Sequence, residues 1–374
     1  MLYRKMKKSD RKLSILGYGC MRLPLLKSGH VSLRLSKQSI RYAIDYGVNY
    51  VDTAWPYHNG ESETIVGKVL QDGYREKINL ATKLPTWLIE KREDMDKYLD
   101  LQLKRLQTDH IDYYLIHALS QDRLDSMVKL GMADFLDDAL ADGRITYAGF
   151  SFHDKPDAFR NCVNAYNWTF CQIQYNYLDE ENQAGTEGLK YAAAKGLGVV
   201  VMEPLRGGAL TSPVPAIDKI WAASGVERSK AERGLRWVWN HPEVTVVLSG
   251  MSTFDQVKEN LMYAENGRPG SLGRDELNVY SRVTAAYRER IRVGCTGCRY
   301  CMPCNNGVDI PGCFEQYNNA IMFADPERSK EVYNIWMSDG CASKCIECGE
   351  CEEKCPQQIP IREKLKEVKE LFGK

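Results

Sequence analysis

Ten of the thirteen cysteines in this 374-residue chain lie between Cys295 and Cys355. Their spacing is the first feature that could carry chemistry. Cys345, Cys348, Cys351 and Cys355, followed by Pro356, form Cys-x2-Cys-x2-Cys-x3-Cys-Pro. That spacing suits four thiolates holding an iron–sulfur cube. An earlier run, Cys295, Cys298, Cys301 and Cys304, is a close variant, with two residues before its last cysteine and Asn305 in place of proline. Where two clusters share a module, the last cysteine of each run serves the other cluster. One set would then be Cys295, Cys298, Cys301 and Cys355, and the other Cys345, Cys348, Cys351 and Cys304, giving two [4Fe–4S] clusters. Zinc is the alternative for four cysteines, although three ligands at successive x2 spacing point to a cube. Cys313 and Cys341 exceed the eight required and read as structural thiols.

A second group of reactive types lies in the first third of the chain: Asp52, Tyr57, Lys83 and His117. Each falls at the end of an apolar run or in the loop just after it. The runs are Asn49–Asp52, Ile78–Thr82, Ile111–His117, Ile145–Ser151, Phe170–Gln174, Gly198–Glu203 and Val244–Ser249, with one more near Leu13–Gly19. They are rich in Val, Ile, Leu and Tyr, as buried parallel strands are. Amphipathic stretches alternate with them. Ser36–Tyr46 is predicted as a helix capped by its serine and stopped by Gly47. Glu93–Leu106 places Leu99, Leu103 and Leu106 on one face. Arg233–Asn240 ends before Pro242. Eight strand–helix units of this length predict an α/β fold, a (β/α)8 TIM barrel, whose chemistry sits at the C-terminal strand ends. The open-sheet alternative lacks the Gly-x-Gly-x-x-Gly turn after its first strand.

The stretch from Val51 to Glu63 (VDTAWPYHNGESE) resembles the signature of the aldo-keto reductase family. The resemblance extends over most of residues 10–265. It implies a catalytic tetrad of Asp52, Tyr57, Lys83 and His117. In the implied roles Tyr57 is the proton donor to a carbonyl oxygen. Lys83 would lower the phenol pKa, Asp52 would hold Lys83, and His117 would orient the carbonyl through a hydrogen bond. His30, His58, His110, His153 and His241 carry no assigned role, although His58 and His153 adjoin matched positions.

The same resemblance implies NADP or NAD across the strand ends. Its contacts would be Gly19, Met21, Ser151, Gln172, Met202, Pro204, Leu205, Gly207, Ser249, Gly250, Ser252, Gln256, Glu259 and Asn260. Three positions depart from the family pattern. Phe152 replaces an asparagine that binds the nicotinamide amide, and Met202 replaces a stacking tyrosine, for which sulfur is a partial substitute. Gln256 stands where an arginine often grips the 2′-phosphate of NADP.

Residues 266–274, with Pro269, Gly267, Gly270 and Gly273, read as a boundary loop followed by a helix over Asp275–Arg292. The expected division is 1–290 for the barrel and 291–374 for a C-terminal α-helical ferredoxin-like domain. Helical patterns at Cys313–Phe323 and Glu327–Met337 lie within the 40 residues that separate the two cysteine runs. The whole resembles aldo-keto reductases that carry a C-terminal dicluster domain.

Fifty basic and fifty acidic residues cancel, so no field favours nucleic acid or an anionic membrane. The basic N-terminus is followed by no apolar stretch, and no run reaches a membrane span. The chain is expected to be cytoplasmic. It is expected to act on a small-molecule carbonyl or alcohol as an NAD(P)H-dependent oxidoreductase, with a one-electron carrier protein as a further partner. The clusters would transfer electrons or help to form the pocket. The alternative is an electron-transfer or redox-sensing protein whose barrel binds nucleotide without turnover.

Overall fold

The computed structural model describes residues 1–373. Ten strands form in order: β1 (Tyr3–Lys5), β2 (Lys12–Ser14), β3 (Leu16–Gly19), β4 (Tyr50–Asp52), β5 (Asn79–Leu84), β6 (Ile111–Leu119), β7 (Ile145–Phe152), β8 (Phe170–Gln174), β9 (Gly198–Met202) and β10 (Val244–Ser249). The eight from β3 to β10 close into a parallel barrel, with β10 pairing back onto β3. The strand predicted near Leu13–Gly19 divides at Ile15: Lys12–Ser14 pairs with β1 as an antiparallel hairpin, and only Leu16–Gly19 joins the barrel.

Ten helices accompany these strands: α1 (Leu33–Asp45), α2 (Ser62–Val69), α3 (Arg92–Leu106), α4 (Gln121–Lys129), α5 (Met132–Ala141), α6 (Pro156–Asn164), α7 (Gly185–Ala194), α8 (Pro215–Ala222), α9 (Lys230–Trp239) and α10 (Phe254–Ala264). The cap of α1 is Ser32, whose hydroxyl accepts from Leu35 N at 3.4 Å. Ser36, expected as the cap, lies buried inside the first turns instead. The difference is one helical turn. Either serine satisfies the composition rule, and only the backbone path decides which one stands outside the helix.

The barrel interior is filled from several strands by Tyr50, Leu115, Tyr113, Phe170, Val200, Val246 and Leu248, all buried. Aromatic rings of this size fit because a facing residue lacks a side chain. A Cβ on Gly149 would stand 2.4 Å from the Phe170 ring. Met6 and Leu13, from the connection after β1 and from β2, join this cluster at the N-terminal end. The hairpin is locked there by Arg4, whose guanidinium donates to four backbone carbonyls: Trp239, His241, Val244 and Gly267.

Five further helices follow: α11 (Arg274–Arg288), α12 (Ile310–Met322), α13 (Pro326–Trp336), α14 (Glu350–Glu353) and α15 (Ile361–Phe372). Two compact units result. One contains residues 1–207 with 228–273, and the other residues 208–227 with 274–374. The second unit has its own core, in which Phe314, Tyr333, Ile361, Leu365, Val368 and Phe372 are buried. Cys313 and Cys341 are buried in this core, and the Cys313 thiol lies 3.5 Å from Gly340 O. Within the same unit Trp221 of α8 meets Tyr280 of α11 edge-on, with ring centroids 5.0 Å apart. Among the described residues no helix is long and apolar enough to cross a membrane.

Arg4→Met removes one donor from four carbonyls while keeping the apolar stem. A fully buried acceptor left unpaired costs about 1–3 kcal/mol, and these four bonds are partly buried. A loss of at least about 2 kcal/mol is expected in urea unfolding followed by circular dichroism. An unchanged midpoint would exclude the clamp.

Candidate functional site

The barrel topology delivers a polar side chain from most strands to one rim. Asp52 is the last residue of β4, Lys83 the penultimate residue of β5, and His117 lies two residues before the end of β6. Tyr57 follows β4 in a tight loop in which His58 and Asn59 both adopt left-handed backbone conformations, φ 52° and 53°. That loop turns the tyrosine back over the rim.

The four residues expected to act together are brought together. Lys83 Nζ donates to Asp52 Oδ1 at 2.7 Å, to Thr53 O at 2.8 Å and to Tyr57 OH at 3.3 Å. Lys83 is 1% exposed and Asp52 2% exposed. The His117 ring stands across from Tyr57, with centroids 6.4 Å apart and planes at 83°. Trp87 flanks His117 at 5.1 Å.

Burial works against the Lys83 ammonium, but Asp52 and Tyr57 hold its pKa above the ordinary lysine value. Desolvation raises the Asp52 carboxyl, with Lys83 pulling the other way. For Tyr57 desolvation pushes the phenol above its ordinary value, and the opposing pull of Lys83 is the smaller effect. The expectation that Lys83 leaves this phenol with a lowered pKa is therefore corrected: the lysine acts in that direction, but enclosure outweighs it. His117 is driven well below the ordinary imidazole value by burial first, then by Lys83 and neighbouring cations. It is neutral in this setting, and a neutral imidazole still donates one N–H bond.

Behind the rim a second group fixes Lys83. Gln102, fully buried on α3, donates to Lys83 O at 3.0 Å and to Glu63 Oε1 at 2.6 Å. Glu63 also accepts from Thr82 Oγ1 at 2.7 Å and from Arg105 at 3.2 Å. The Arg105 guanidinium lies 3.4 Å above the centre of the Trp55 ring, in the Tyr57 loop. None of these carries a motif of its own.

The residues expected to hold a nicotinamide lie on the next strands. Ser151 of β7 and Gln172 of β8 are each 1% exposed. Ser151 Oγ accepts from Ala118 N at 2.7 Å, which leaves its hydroxyl proton to donate. Gln172 donates to Met202 Sδ at 3.6 Å, and its buried Oε1 has no partner among the described residues. A free buried acceptor beside a hydroxyl donor suits a primary carboxamide, so these residues fit the group. Phe152 turns outward and packs edge-on against Phe159 of α6, centroids 5.0 Å apart.

After β9, Pro204 is buried and Leu205 partly so. A Cβ on Gly234 of α9 would stand 2.4 Å from the Leu205 side chain, so this glycine admits the loop. Gly207 has φ 63°. Gly19 ends β3, Met21 is exposed, and Ser249 ends β10. Asn260 is buried and donates to Ser249 Oγ at 2.9 Å, whereas Glu259 is exposed. Gln256 folds back: its Oε1 accepts from Ser252 N at 2.9 Å and Thr253 N at 3.3 Å, a capping box for α10.

A large cleft opens at the opposite end of the barrel, lined by Arg11, Arg75, His110 and Asp112 among others. Its buried carboxylate, Asp112, is answered from within the cleft. Asp112 accepts from Arg11 at 3.0 Å, Arg75 at 2.8 Å and Leu80 N at 2.9 Å. Features at the N-terminal face of such barrels serve stability rather than chemistry.

In the second unit the cysteines ring two cavities. One is lined by Cys295, Cys298, Cys301 and Cys355. The other is lined by Cys304, Cys345, Cys348 and Cys351, with Cys301 at the shared wall. The last cysteine of each run thus faces the other run's three. Among the described residues no three His, Cys, Asp or Glu side chains are close enough to hold a single metal ion. A set of four cysteines lining each cavity fits a group that occupies it, as a [4Fe–4S] cube does.

Together these features define a barrel oxidoreductase joined to an iron–sulfur module. The profile of the aldo/keto reductase family matches residues 15–268, and that of the 4Fe-4S dicluster domain matches residues 294–359. The chain belongs to the aldo/keto reductase family. It is 26% identical over 315 residues to the uncharacterized oxidoreductase YqkF of Bacillus subtilis, covering 76% of this chain and 97% of that one. It is 29% identical over 311 residues to a 6-dehydroglucose reductase of Novosphingobium aromaticivorans, covering 77% and 97%. Among solved structures, the holo form of aldo-keto reductase AKR11C1 from Bacillus halodurans superimposes with a TM-score of 0.64 at 27% identity, covering 76% of this chain and 96% of that one.

Proposed function

We propose that this chain interconverts a small-molecule carbonyl and its alcohol with NADPH or NADH, and that its second unit carries two [4Fe–4S] clusters serving a one-electron carrier protein. The observation that carries the first half is the position of Lys83 Nζ, within hydrogen-bond reach of both Asp52 and Tyr57 at the barrel rim.

When bound, a reduced nicotinamide would supply a hydride for the carbonyl carbon. Tyr57 delivers its phenolic proton to the oxygen as negative charge builds there. Lys83 stabilises the phenolate left behind, and Asp52 keeps the ammonium charged and fixed. His117 donates to the same oxygen and sets the angle at which the carbonyl presents its carbon. Ser151 and Gln172 would hold the carboxamide. Cys295, Cys298, Cys301 and Cys355 would bind one cluster, and Cys304, Cys345, Cys348 and Cys351 the other. When bound, the clusters supply one-electron chemistry.

Tyr57→Phe keeps the ring and removes the proton. Carbonyl turnover should fall by roughly 10²–10⁴ while nucleotide affinity is retained. Turnover at the wild-type level would refute the assignment of the acid.

The pH profile follows from the shifts above. A phenol raised above its ordinary value of about 10 stays protonated through neutrality. An imidazole lowered well below about 6.5 stays neutral there. The reduction rate, as kcat/KM, should be flat between about pH 7 and 9 and fall only as the phenol ionises above about 10. Alcohol oxidation, which needs the phenolate, should rise over the same alkaline range. A loss of reduction centred between about pH 7 and 8 would contradict both protonation states.

Protein purified without oxygen should contain about eight iron and eight sulfide per chain. Cys348→Ser should retain roughly half of each, because it touches one set of ligands only. Stoichiometric zinc without sulfide would exclude the clusters.

A further inference from the structure

Gln256 cannot serve a phosphate as an arginine at that position would. It is neutral, and its carbonyl oxygen is committed to Ser252 N and Thr253 N. Those two N–H groups are occupied as well. The rim around β10 therefore needs another source of positive charge if it is to hold a dinucleotide.

We propose that Arg22 is that source: the loop after β3 supplies the guanidinium that binds a phosphate of the nicotinamide dinucleotide. This rests on the nucleotide site proposed above. Three observations carry it. First, Arg22 stands at the correct rim. It follows the C-terminal end of β3, which pairs with β10 through Tyr18 and Ser249. Its stem lies against Gly250, where Cβ, Cγ and Cδ are 3.2–3.4 Å from the place a side chain on residue 250 would begin. A larger residue at 250 would displace the arginine.

Second, the loop is pinned at both ends. Cys20 O accepts from Ser62 Oγ at 3.1 Å, and Leu23 N donates to His58 Nε2 at 2.9 Å. His58 thus ties the Arg22 loop to the loop that bears Tyr57, a role its neighbourhood alone did not disclose. Third, Arg22 is exposed and, among the described residues, no carboxylate pairs with it. The other cations of these loops are answered. Lys258 pairs with Asp255 at 3.2 Å, and Arg206 with Asp179 at 3.5 Å.

A guanidinium presents parallel N–H donors that match two phosphate oxygens. The phosphate is either the pyrophosphate, common to both dinucleotides, or the 2′-phosphate of NADP. Binding of NADPH and of NADH to the full-length, cluster-loaded chain would be followed by nicotinamide fluorescence at fixed ionic strength. Arg22→Ala should weaken binding about ten- to a hundredfold, the range for losing hydrogen bonds to a charged group. Arg22→Lys should restore part of it, because the point charge returns without the fork. Weakening of both nucleotides identifies the pyrophosphate, and weakening of NADPH alone identifies the 2′-phosphate. Unchanged affinity for both, with an unchanged melting temperature, would overturn the assignment while leaving the nucleotide site intact. If the wild-type chain binds neither nucleotide, the site itself is wrong and Arg22 falls with it.

Discussion

An ammonium enclosed at 1% exposure sets the terms for everything around the barrel rim. Taking a lysine out of water costs several kcal/mol before any partner answers it. Here the answer is Asp52, equally enclosed, at 2.7 Å. Breaking such a pair from one side costs about 3–5 kcal/mol, so neither residue can be varied alone. The third ligand, Thr53 O, brings the backbone after β4 into the same arrangement. That is the backbone from which the Tyr57 loop departs. Behind it Gln102 holds the Lys83 carbonyl, and Glu63, through Arg105, braces Trp55. The rim geometry is thus imposed from α3 and β5 as much as from the loop that displays it.

Much of this was legible in the amino-acid sequence, because burial on both faces leaves parallel strands as continuous apolar runs. Phe170–Gln174 and Val244–Ser249 appear with their expected bounds, and the other barrel strands differ at their ends. The exceptions share a cause. The β1–β2 hairpin is short and charged, and what holds it is Arg4 reaching carbonyls more than 230 residues away, a contact no local pattern announces. Ser32 and Ser36 are equivalent by composition, and only the path of the chain separates them. Of the proposed site, the family resemblance and the strand-end positions named Asp52, Tyr57, Lys83 and His117, and these side chains lie together at the rim. The net effect on Tyr57 was hidden, since a neighbouring lysine can be read from a sequence whereas the depth of its enclosure cannot.

The second unit shows the reverse balance. Cysteine spacing is a strict local code, so two expected ligand sets can be written from the sequence alone. The supporting core is less so. Phe314, Tyr333, Ile361, Leu365, Val368 and Phe372 come from three separate helices and meet only in the folded unit. Several cysteines of the proposed ligand sets pack against this same cluster, among them Cys295, Cys301, Cys345 and Cys355. Core residues Val308, Ile310, Phe314, Ile361 and Leu365 also line the two cysteine cavities. On the proposed cluster assignment, loss of one cluster should therefore loosen apolar packing as well as remove iron, because metal binding and folding are coupled and core side chains wall the cavities.

The competition at Tyr57 bears on what the barrel is suited to do. In open water a lysine 3.3 Å from a phenol would favour the phenolate. In the enclosed rim the same lysine is already answered by Asp52, so its net field at the phenol is that of a dipole rather than a free charge. Desolvation of the phenolate then prevails, and the proton stays on Tyr57. His117, neutral for the same reasons of burial and neighbouring cations, adds no second charge that would reverse the balance. On the proposed mechanism this favours proton delivery: at neutral pH the acid is loaded before the carbonyl arrives, and the lysine–aspartate pair acts when negative charge forms. Removing Asp52 would free the field of Lys83, but it would also leave a buried ammonium without a partner. Enclosure, acting against the pull of the lysine, is what keeps the phenol in its donating form.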